Sequence, residues 1–244
     1  MHHIPALNEL SDRFQRAGAA LVEAYAKRRA VSSDEESVTP VELVDAVRQF
    51  FEVAERVDGA DRARVTEEDI DQIGDHALNL TTDLVTWAQQ LQLRPVQLEM
   101  EQLPIAIADW VIRHGGHIRT LEPVVNALAE VANTQHDADS LRRLVRFMGQ
   151  VISATEEAVK QDLEKGNPGR PWRLIHLNRG IVATRSHDLK IMEEVFDDLI
   201  RYLPDEAGSF FEEGMRQMEA LDYPEPVRAV MARYFAAWTQ HRMH

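Results

Sequence analysis

The sequence predicts an all-α protein of about ten helices, arranged as stacked antiparallel helix pairs. Apolar residues recur every three or four positions through each long segment, and no segment alternates with the two-residue period of a strand. Prolines repeatedly stand where a helix would begin, and the links between helical segments are short. These patterns are satisfied either by an α-solenoid or by an irregular helical bundle.

In the first half of the chain, polar runs, glycines and prolines mark the ends of the helices. The polar, acidic run 31–39 predicts a loop, and Pro40 suits the first turn of the helix that follows. Thr66, with acids behind it, predicts an N-cap, whereas Pro104 must kink or restart its helix. The first three expected helices are 4–30, 40–57 and 67–91. A fourth is opened by Pro95, is kinked or restarted at Pro104 and ends at Gly115-Gly116.

The second half repeats the same signals at closer intervals. A proline opens several of its helices, because proline is tolerated in the first turn. An aspartate precedes others, as an N-cap does. The expected helices are 120–133, a long helix capped by Asp137 or Asp139 and running to Leu163, a helix from Pro171 to Arg185, one capped by Asp188, one from Pro204 and one introduced by Pro224 and Pro226.

Clearer helix pairs begin after the glycine pair Gly115-Gly116, and this predicts the domain organisation. We expect an N-terminal helical bundle over residues 1–117 and a C-terminal region of helix pairs over residues 118–244. A single continuous domain is the alternative, since 244 residues lie at the upper edge of one domain.

The composition limits the classes of function. The chain has 27 basic and 41 acidic residues, a net charge of −14, so we do not expect a nucleic-acid partner. It has no cysteine, which excludes disulfides, thiolate metal sites and cysteine nucleophiles. No apolar run approaches the ~20 residues that cross a bilayer, and the first residues do not resemble a signal peptide. We therefore expect a cytoplasmic protein without a membrane partner.

Several motifs that carry chemistry are missing from the sequence. There is no Glu-x-x-His, no His-Glu-x-x-His, no phosphate-binding Gly-x4-Gly-Lys-Ser/Thr and no dinucleotide-binding Gly-x-Gly-x-x-Gly. The nucleophile motif Gly-x-Ser-x-Gly is also absent. The sequence therefore predicts no cofactor and no catalytic residue.

The stretch 166–190 is a basic island in this acidic chain, with five basic residues against one acid. Clustered like charges produce a field, and guanidinium groups present a planar fork of donors to a carboxylate or phosphate. The predicted partner-binding residues are Arg170, Trp172, Arg173, His176, Asn178, Arg179 and Arg185. The alternative is that these arginines pair internally with acids of neighbouring helices, such as Glu193, Asp197 and Glu206.

His114 and His117 flank two glycines and are the candidate metal ligands, because histidine commonly binds zinc or nickel. No neighbouring acid completes the set. The other interpretation is a helix C-terminus that ends in glycine, with His114 near the last carbonyl groups.

Two His-Asp dipeptides, His136-Asp137 and His187-Asp188, each resemble the metal-binding pair of all-helical phosphohydrolases. In both places the aspartate also stands where a helix needs an N-cap. The resemblance implies a metal-dependent hydrolase, which is the alternative function.

From about residue 171 to residue 242 the chain resembles tetratricopeptide-type repeats. Pro171 and Pro204 are 33 residues apart, close to the 34-residue period of that family. Trp172 and Ile175 fit the Trp and Leu positions of one repeat, whereas His176 and Arg179 replace its Gly and Tyr. In the next repeat Phe210 and Gly214 fit, whereas Gln217 replaces the Tyr. The likeness is architectural and implies a concave helical surface that binds peptides or proteins.

We therefore predict a non-catalytic binding or scaffolding module that recognises an acidic or phosphorylated partner through its arginine-rich helix. Two alternatives stay open. One is the metal-dependent phosphohydrolase. The other is a structural homodimer, in which Leu7 to Ala24 or Ile70 to Leu91 form the subunit interface.

Overall fold

The computed structural model describes residues 7–29, 38–59 and 64–241. Within these ranges the chain forms eleven helices of seven or more residues, one four-residue turn of helix and no strand. An isolated β-bridge pairs Ile118 with Thr155. The all-α fold of about ten helices is therefore confirmed.

The helices follow the prolines and caps that the sequence predicts. Their bounds are α1 Leu7–Arg29, α2 Pro40–Asp58, α3 Glu67–Gln90, α4 Arg94–Met100, α5 Leu103–Arg113, α6 Glu122–Thr134, α7 Ala138–Ala154, α8 Glu157–Lys160, α9 Pro171–Arg185, α10 Leu189–Tyr202, α11 Pro204–Ala220 and α12 Glu225–His241. In the described part of the chain, none of them has both the length and the apolar character needed to cross a membrane.

The chain divides into two compact units. The first contains the described residues up to Ala127 together with Ala154–Val159, and the second contains Leu128–Ser153 and the described residues from Lys160 onward. The boundary in α6 lies ten residues after the predicted division at residue 117. The Ile118 N–H donates to the carbonyl of Ala154 at 2.8 Å, and the Glu156 N–H donates to the carbonyl of Ile118 at 2.9 Å. These bonds join 154–159 to the first unit, a pairing between distant segments that helical periodicity does not reveal.

In the first unit, α1 and α3 both pack against α2, α4 and α5. Phe14 and Phe51 contact each other at a ring distance of 5.5 Å, and the fully buried Trp110 lies edge-on to Phe50 at 5.6 Å. The apolar stripes of Leu7 to Ala24 and Ile70 to Leu91 therefore serve the protein's own core. Most of these apolar residues are buried in the first unit, whereas Ile73, Leu80 and Leu91 are half-buried.

Helix α7 is shorter than the sequence predicts. Its apolar spacing suggests a helix to Leu163, but α7 ends at Ala154 because Thr155 leaves the helix to form the bridge with Ile118. The chain then makes the single turn α8, and Asp162 has a left-handed φ of 48°. The loop that follows carries the chain to α9.

In the second unit, α10 packs against α9, α11 and α12, and α11 also packs against α12. Phe196 of α10 lies edge-on to Phe211 of α11 at 5.3 Å, and both side chains are fully buried. The Asp188 side chain accepts the N–H of Ile191 at 3.1 Å, as the predicted N-cap of α10. This core fixes α9 and α11 beside each other.

Candidate functional site

A groove of about 560 Å³ runs between α9 and α11 in the second unit. We call it the α9–α11 groove. Apolar atoms form most of the lining surface, and arginine and glutamate side chains also contribute to it. The lining residues are Arg173, Leu177, Ile181, Thr184, Arg185, Glu206, Ser209, Phe210, Glu213, Gly214, Gln217, Met218, Leu221, Tyr223 and Met231.

The α9 wall is a stripe of four side chains spaced by four residues. Arg173, Leu177, Ile181 and Arg185 occupy successive turns and share one face of the helix. Two arginines therefore mark the ends of this wall and two aliphatic side chains form its middle. On α11 the same four-residue spacing brings Glu206, Phe210, Gly214 and Met218 to the groove.

Two glycines allow the groove floor to pack closely. A Cβ on Gly180 of α9 would lie 2.6 Å from Cζ of Phe210, and a Cβ on Gly214 of α11 would lie 2.6 Å from Cε of Met231. Glycine therefore lets the Phe210 ring rest against the backbone of α9 and lets Met231 approach α11. We call the apolar surface of Phe210 and Met231 at these two glycines the floor of the groove.

Two large apolar side chains of the walls face solvent. Ile181 is 49% exposed and Leu221 is 63% exposed. Isolated apolar side chains on a surface are ordinary, but these two border a concave apolar surface. Covering them would remove apolar area from water, which favours the docking of another apolar surface.

At one end of the groove, Arg173 is neutralised by Glu206. Their side chains form an ion pair of 2.8 Å, and Arg173 also donates to the carbonyl of Pro168 at 3.0 Å. The hydrogen bond from Arg173 lowers the pKa of the Glu206 carboxyl, against the opposing effect of its partial burial. This end of the groove therefore carries little net charge.

At the other end, Arg185 contacts backbone carbonyl groups. Its guanidinium donates to the carbonyl of Ala132 at 2.8 Å and to the carbonyl of Gln135 at 2.5 Å, which satisfies the C-terminus of α6. Among the residues that the structure describes, it forms no ion pair with a carboxylate. A half-buried cation without an anionic partner therefore borders the groove.

Arg170 does not line the groove but belongs to an internal cluster that includes the lining residue Glu206. It is 6% exposed, and it pairs with Asp162 at 2.6 Å and with Glu206 at 3.6 Å. It also donates to the carbonyls of Lys165 and Asn167. The hydrogen bond with Asp162 raises the pKa of the Arg170 guanidinium. Arg170 therefore fixes the loop before α9. The sequence-based prediction assigns Arg170 to contact with a partner, but its guanidinium is buried against the protein's own acceptors.

Arg179 is also internal. It is 6% exposed, donates to Asp198 of α10 at 2.7 Å and to the carbonyl of Val145 of α7 at 3.3 Å, and lies 3.7 Å from Glu194. A Cβ on Gly149 would lie 2.9 Å from its Nη2 atom, so glycine makes room for the guanidinium. Arg179 therefore joins α7, α9 and α10.

Trp172 and His176 are buried, with their rings 4.5 Å apart. Burial, together with the positive charge of Arg179, lowers the pKa of His176 to about 3, while Asp162 acts in the opposite direction. Its Nε2 atom has no hydrogen-bond partner in the described structure. Asn178 is half-buried and does not line the groove. These three residues therefore do not contribute to the groove.

The seven predicted binding residues thus separate. Of the seven, only Arg173 and Arg185 border the groove. Arg170, Arg173 and Arg179 form ion pairs with the protein's own acids, as the alternative interpretation of the basic stretch expects. Of the three acids named for that pairing, Glu206 contacts Arg173, whereas the acids that pair with Arg179 are Asp198 and Glu194. The α11 wall was not predicted, although Phe210 and Gly214 are two of the positions that fit the repeat family.

The candidate metal ligands His114 and His117 lie in different hydrogen-bonding environments. His114 lies at the end of α5, with Nδ1 2.8 Å from the carbonyl of Trp110 and Nε2 3.0 Å from Asp58. His117 lies 3.3 Å from Asp71. Gly115 has φ of +77°, as expected for glycine after a helix end. The residues that the structure describes contain no group of three or more potential ligands arranged for a metal ion.

The two His-Asp dipeptides are explained by helix capping. Asp137 accepts the N–H of Ser140 at 2.8 Å, and this bond lowers the pKa of the Asp137 carboxyl. Asp188 caps α10 in the same way. His187 has a left-handed φ of 54° and stacks edge-on with Tyr223 at 5.5 Å. Both aspartates thus have a structural role, and neither dipeptide supports the hydrolase alternative.

Comparison with protein-family models, with characterised proteins and with solved structures finds no match to this chain. The resemblance to tetratricopeptide-type repeats therefore stays a prediction from the sequence. Function must be inferred from the groove itself.

Proposed function

We propose that this protein is a non-catalytic binding module, acting in the cytoplasm, that holds a segment of a partner protein in the α9–α11 groove. The observation that carries this proposal is the 560 Å³ apolar groove bordered by the exposed side chains of Ile181 and Leu221. Its volume falls in the range of about 300–1,000 Å³ that is typical of small-molecule pockets.

Apolar contact supplies most of the binding free energy in this proposal. Each partner side chain of the size of Leu or Phe contributes roughly 1.5–3 kcal/mol when fully buried. Three such side chains would contribute about 5–9 kcal/mol before the costs of association and ordering are subtracted. We therefore expect a micromolar or weaker interaction, since a Kd of 1 μM corresponds to about 8 kcal/mol.

An anionic group on the partner supplies orientation. Arg185 borders the groove and, within the described residues, has no carboxylate partner. Its guanidinium can donate hydrogen bonds to a carboxylate or a phosphate beside the carbonyls it already binds. The acidic or phosphorylated partner predicted from the sequence is thus retained, with Arg185 as the contact. Arg170 and Arg179 are assigned to the structure of the module.

The titratable groups at the groove favour binding over catalysis. A general base works best with a pKa near the operating pH, whereas the pKa of Glu206 is lowered by its hydrogen bond with Arg173. Arg173 and Arg185 are held by internal acceptors. We therefore assign recognition to the groove and no chemical step.

The proposal is tested by capture of partners from the native cell extract on the immobilised full chain. The capture is repeated with Ile181→Asp/Leu221→Asp, which places two carboxylates on the exposed groove walls. The expected result is a protein that is identified by mass spectrometry on the unaltered chain and lost on the double variant. The purified partner should then bind by calorimetry with the same difference.

Leu163→Asp is the matched control, because Leu163 is 82% exposed and lies outside the groove lining. It should capture the same protein as the unaltered chain. Thermal unfolding of all three chains should agree within a few degrees. Equal capture by the double variant and the unaltered chain would contradict the proposed function.

A further inference from the structure

We propose that the occupant of the α9–α11 groove is an amphipathic α-helix of about three turns, with one acidic flank and one basic flank. This inference rests on the proposed function and specifies the partner. Three features of the groove lead to it: its length, the state of its polar groups and the opposite charges of its two walls.

The length of the groove matches a short helix. Its α9 wall extends from Arg173 to Arg185, which is roughly 18 Å at 1.5 Å per residue. A helix of about twelve residues spans this distance and presents apolar side chains at positions i, i+4 and i+7 along one face. An extended segment would span it with only about five or six residues.

The polar groups of the groove favour a helix over an extended segment. The Thr184 hydroxyl already donates to the carbonyl of Gly180, and the Gln217 side chain already donates to Glu213. The floor is formed by apolar side chains and offers no row of backbone donors and acceptors. An extended segment would bury backbone groups without partners, at about 1–3 kcal/mol each. A helix satisfies its own backbone groups and contacts the floor with side chains alone.

The two walls carry opposite charges. The charged residues of α9 are all basic, whereas α11 has five acidic residues and one arginine. At one end of the groove, Arg173 and Glu206 neutralise each other. Along the remainder, Arg185 borders the α9 side and Glu213 borders the α11 side.

Glu213 remains available to a partner. It pairs with Arg216 on its own helix at 2.7 Å and accepts a hydrogen bond from Gln217 at 2.8 Å. The Glu213 and Arg216 side chains are at least half exposed, and exposed contacts of this kind contribute little. A partner helix is therefore expected to place an acidic side chain beside Arg185 and a basic side chain beside Glu213. This charge pattern separates the proposed occupant from a uniformly acidic helix.

The test uses a library of random 16-residue peptides displayed on phage, selected on the immobilised full chain. Enriched peptides are then measured by fluorescence anisotropy on the unaltered chain, on Ile181→Asp/Leu221→Asp and on Leu163→Asp. The expected peptides have apolar residues at i, i+4 and i+7, gain helical circular dichroism on binding and lose affinity on the groove variant alone. A central proline in such a peptide should weaken binding by more than about 30-fold.

Charge exchange tests the assignment of the flanks. Arg185→Glu should weaken the binding of these peptides about tenfold, and replacing the acidic residue of the peptide with lysine should restore the affinity on this variant. Glu213→Lys should show the same reciprocal behaviour with the basic residue of the peptide. Restoration by the exchanged charge identifies a direct contact, which a general loss of stability would not produce.

Two results would overturn the inference, and they are distinguishable. Peptides that depend on Ile181 and Leu221 but tolerate a central proline would show an extended occupant, and the proposed function would stand without the helix. Peptides that bind the double variant as well as the unaltered chain, or no enrichment at all, would contradict both the inference and the proposed function.

Discussion

Helix α3 of the first unit and helix α9 of the second unit use their apolar residues differently. On α3 the apolar residues form one stripe, buried against α2, α4 and α5, and the opposite side of the helix is polar. On α9 they surround the helix. Trp172 and Val182 are buried in the second unit, whereas Leu177 and Ile181 line the groove. The second unit therefore buries only part of the apolar surface of α9, and the rest lines the groove.

The arginines of α9 show the same division. Arg179 faces inward and is held by Asp198 and by the carbonyl of Val145. Arg185 borders the groove and donates to two backbone carbonyls, and among the residues that the structure describes it has no carboxylate partner. Inward arginines therefore fix the unit, and the arginine at the end of the groove retains the charge that a partner can use. The substitutions below separate these roles, beginning with the largest expected effect.

Truncation of matched aliphatic side chains should separate the two helices most clearly. Leu84 of α3 is fully buried, so Leu84→Ala should lower the free energy of unfolding by about 2–5 kcal/mol. Ile181→Ala should lower it by about 1 kcal/mol or less, because half of the side chain is exposed. Chemical denaturation followed by circular dichroism measures both. Equal losses would contradict the division between a core helix and a groove helix.

Removal of the two arginines should affect different properties. Arg179→Met should lower the free energy of unfolding by about 2–3 kcal/mol, because Asp198 and the carbonyl of Val145 lose a charged donor. Arg185→Met should lower it less and should weaken the binding of groove peptides. Urea denaturation and fluorescence anisotropy give the two quantities. If Arg179→Met is as stable as the unaltered chain but does not bind, the inward assignment of Arg179 is wrong.

The buried His176 should make the protein sensitive to acid. Its pKa is lowered to about 3 in the folded protein, whereas unfolded histidine has a pKa of about 6.5. Between these values the unfolded chain binds a proton that the folded chain does not. Stability is therefore lost as the pH falls below about 6.5, by at most about 1.4 kcal/mol per pH unit. His176→Phe should remove this contribution, which amounts to about 2 kcal/mol between pH 6.5 and pH 5.

Denaturation of the unaltered chain and of His176→Phe at several pH values measures that difference. The phenylalanine ring also removes a buried Nε2 atom without a partner, so the variant should fold. Identical slopes of stability against pH between pH 5 and pH 6.5 would show that His176 does not titrate as proposed.

The smallest expected effects come from one helix cap in each unit. Thr66 accepts the N–H of Asp69 at the start of α3, and Asp188 accepts the N–H of Ile191 at the start of α10. Thr66→Ala and Asp188→Ala should each lower the free energy of unfolding by about 1 kcal/mol. Neither should change the affinity for a groove peptide. A loss of binding in Asp188→Ala would indicate that the groove depends on the position of α10.

The sequence predicted most helix ends because their signals are local. Pro171 and Arg185 bound α9 as expected, and Thr66 and Asp188 cap the helices that follow them. The predicted end of α7 at Leu163 was wrong, because the bridge between Ile118 and Thr155 joins segments 37 residues apart. Nothing in the apolar spacing around Thr155 signals that contact.

The candidate site was harder to predict, because a count of charged residues does not show which arginine side chains face the interior and which face the groove. Arg170, Arg173, Arg179 and Arg185 belong to the same basic stretch, yet of these four only Arg173 and Arg185 line the groove. The acids that hold Arg170 and Arg179 lie on other elements, so their pairing depends on tertiary packing. The exposed side chain of Ile181 indicates the groove more directly, because other apolar residues of α9, such as Trp172 and Val182, are buried.

The most direct test of the groove is the nuclear magnetic resonance spectrum of the full chain labelled at its methionine methyl groups. Met218 and Met231 line the groove, whereas Met100 and Met148 are buried outside its lining. The titrant is a library peptide enriched on the unaltered chain, so its selection does not presuppose the site. Docking in the groove predicts shifts of the Met218 and Met231 resonances, with Met100 and Met148 unchanged. Binding that shifts Met100 or Met148 and leaves Met218 and Met231 in place would contradict the account.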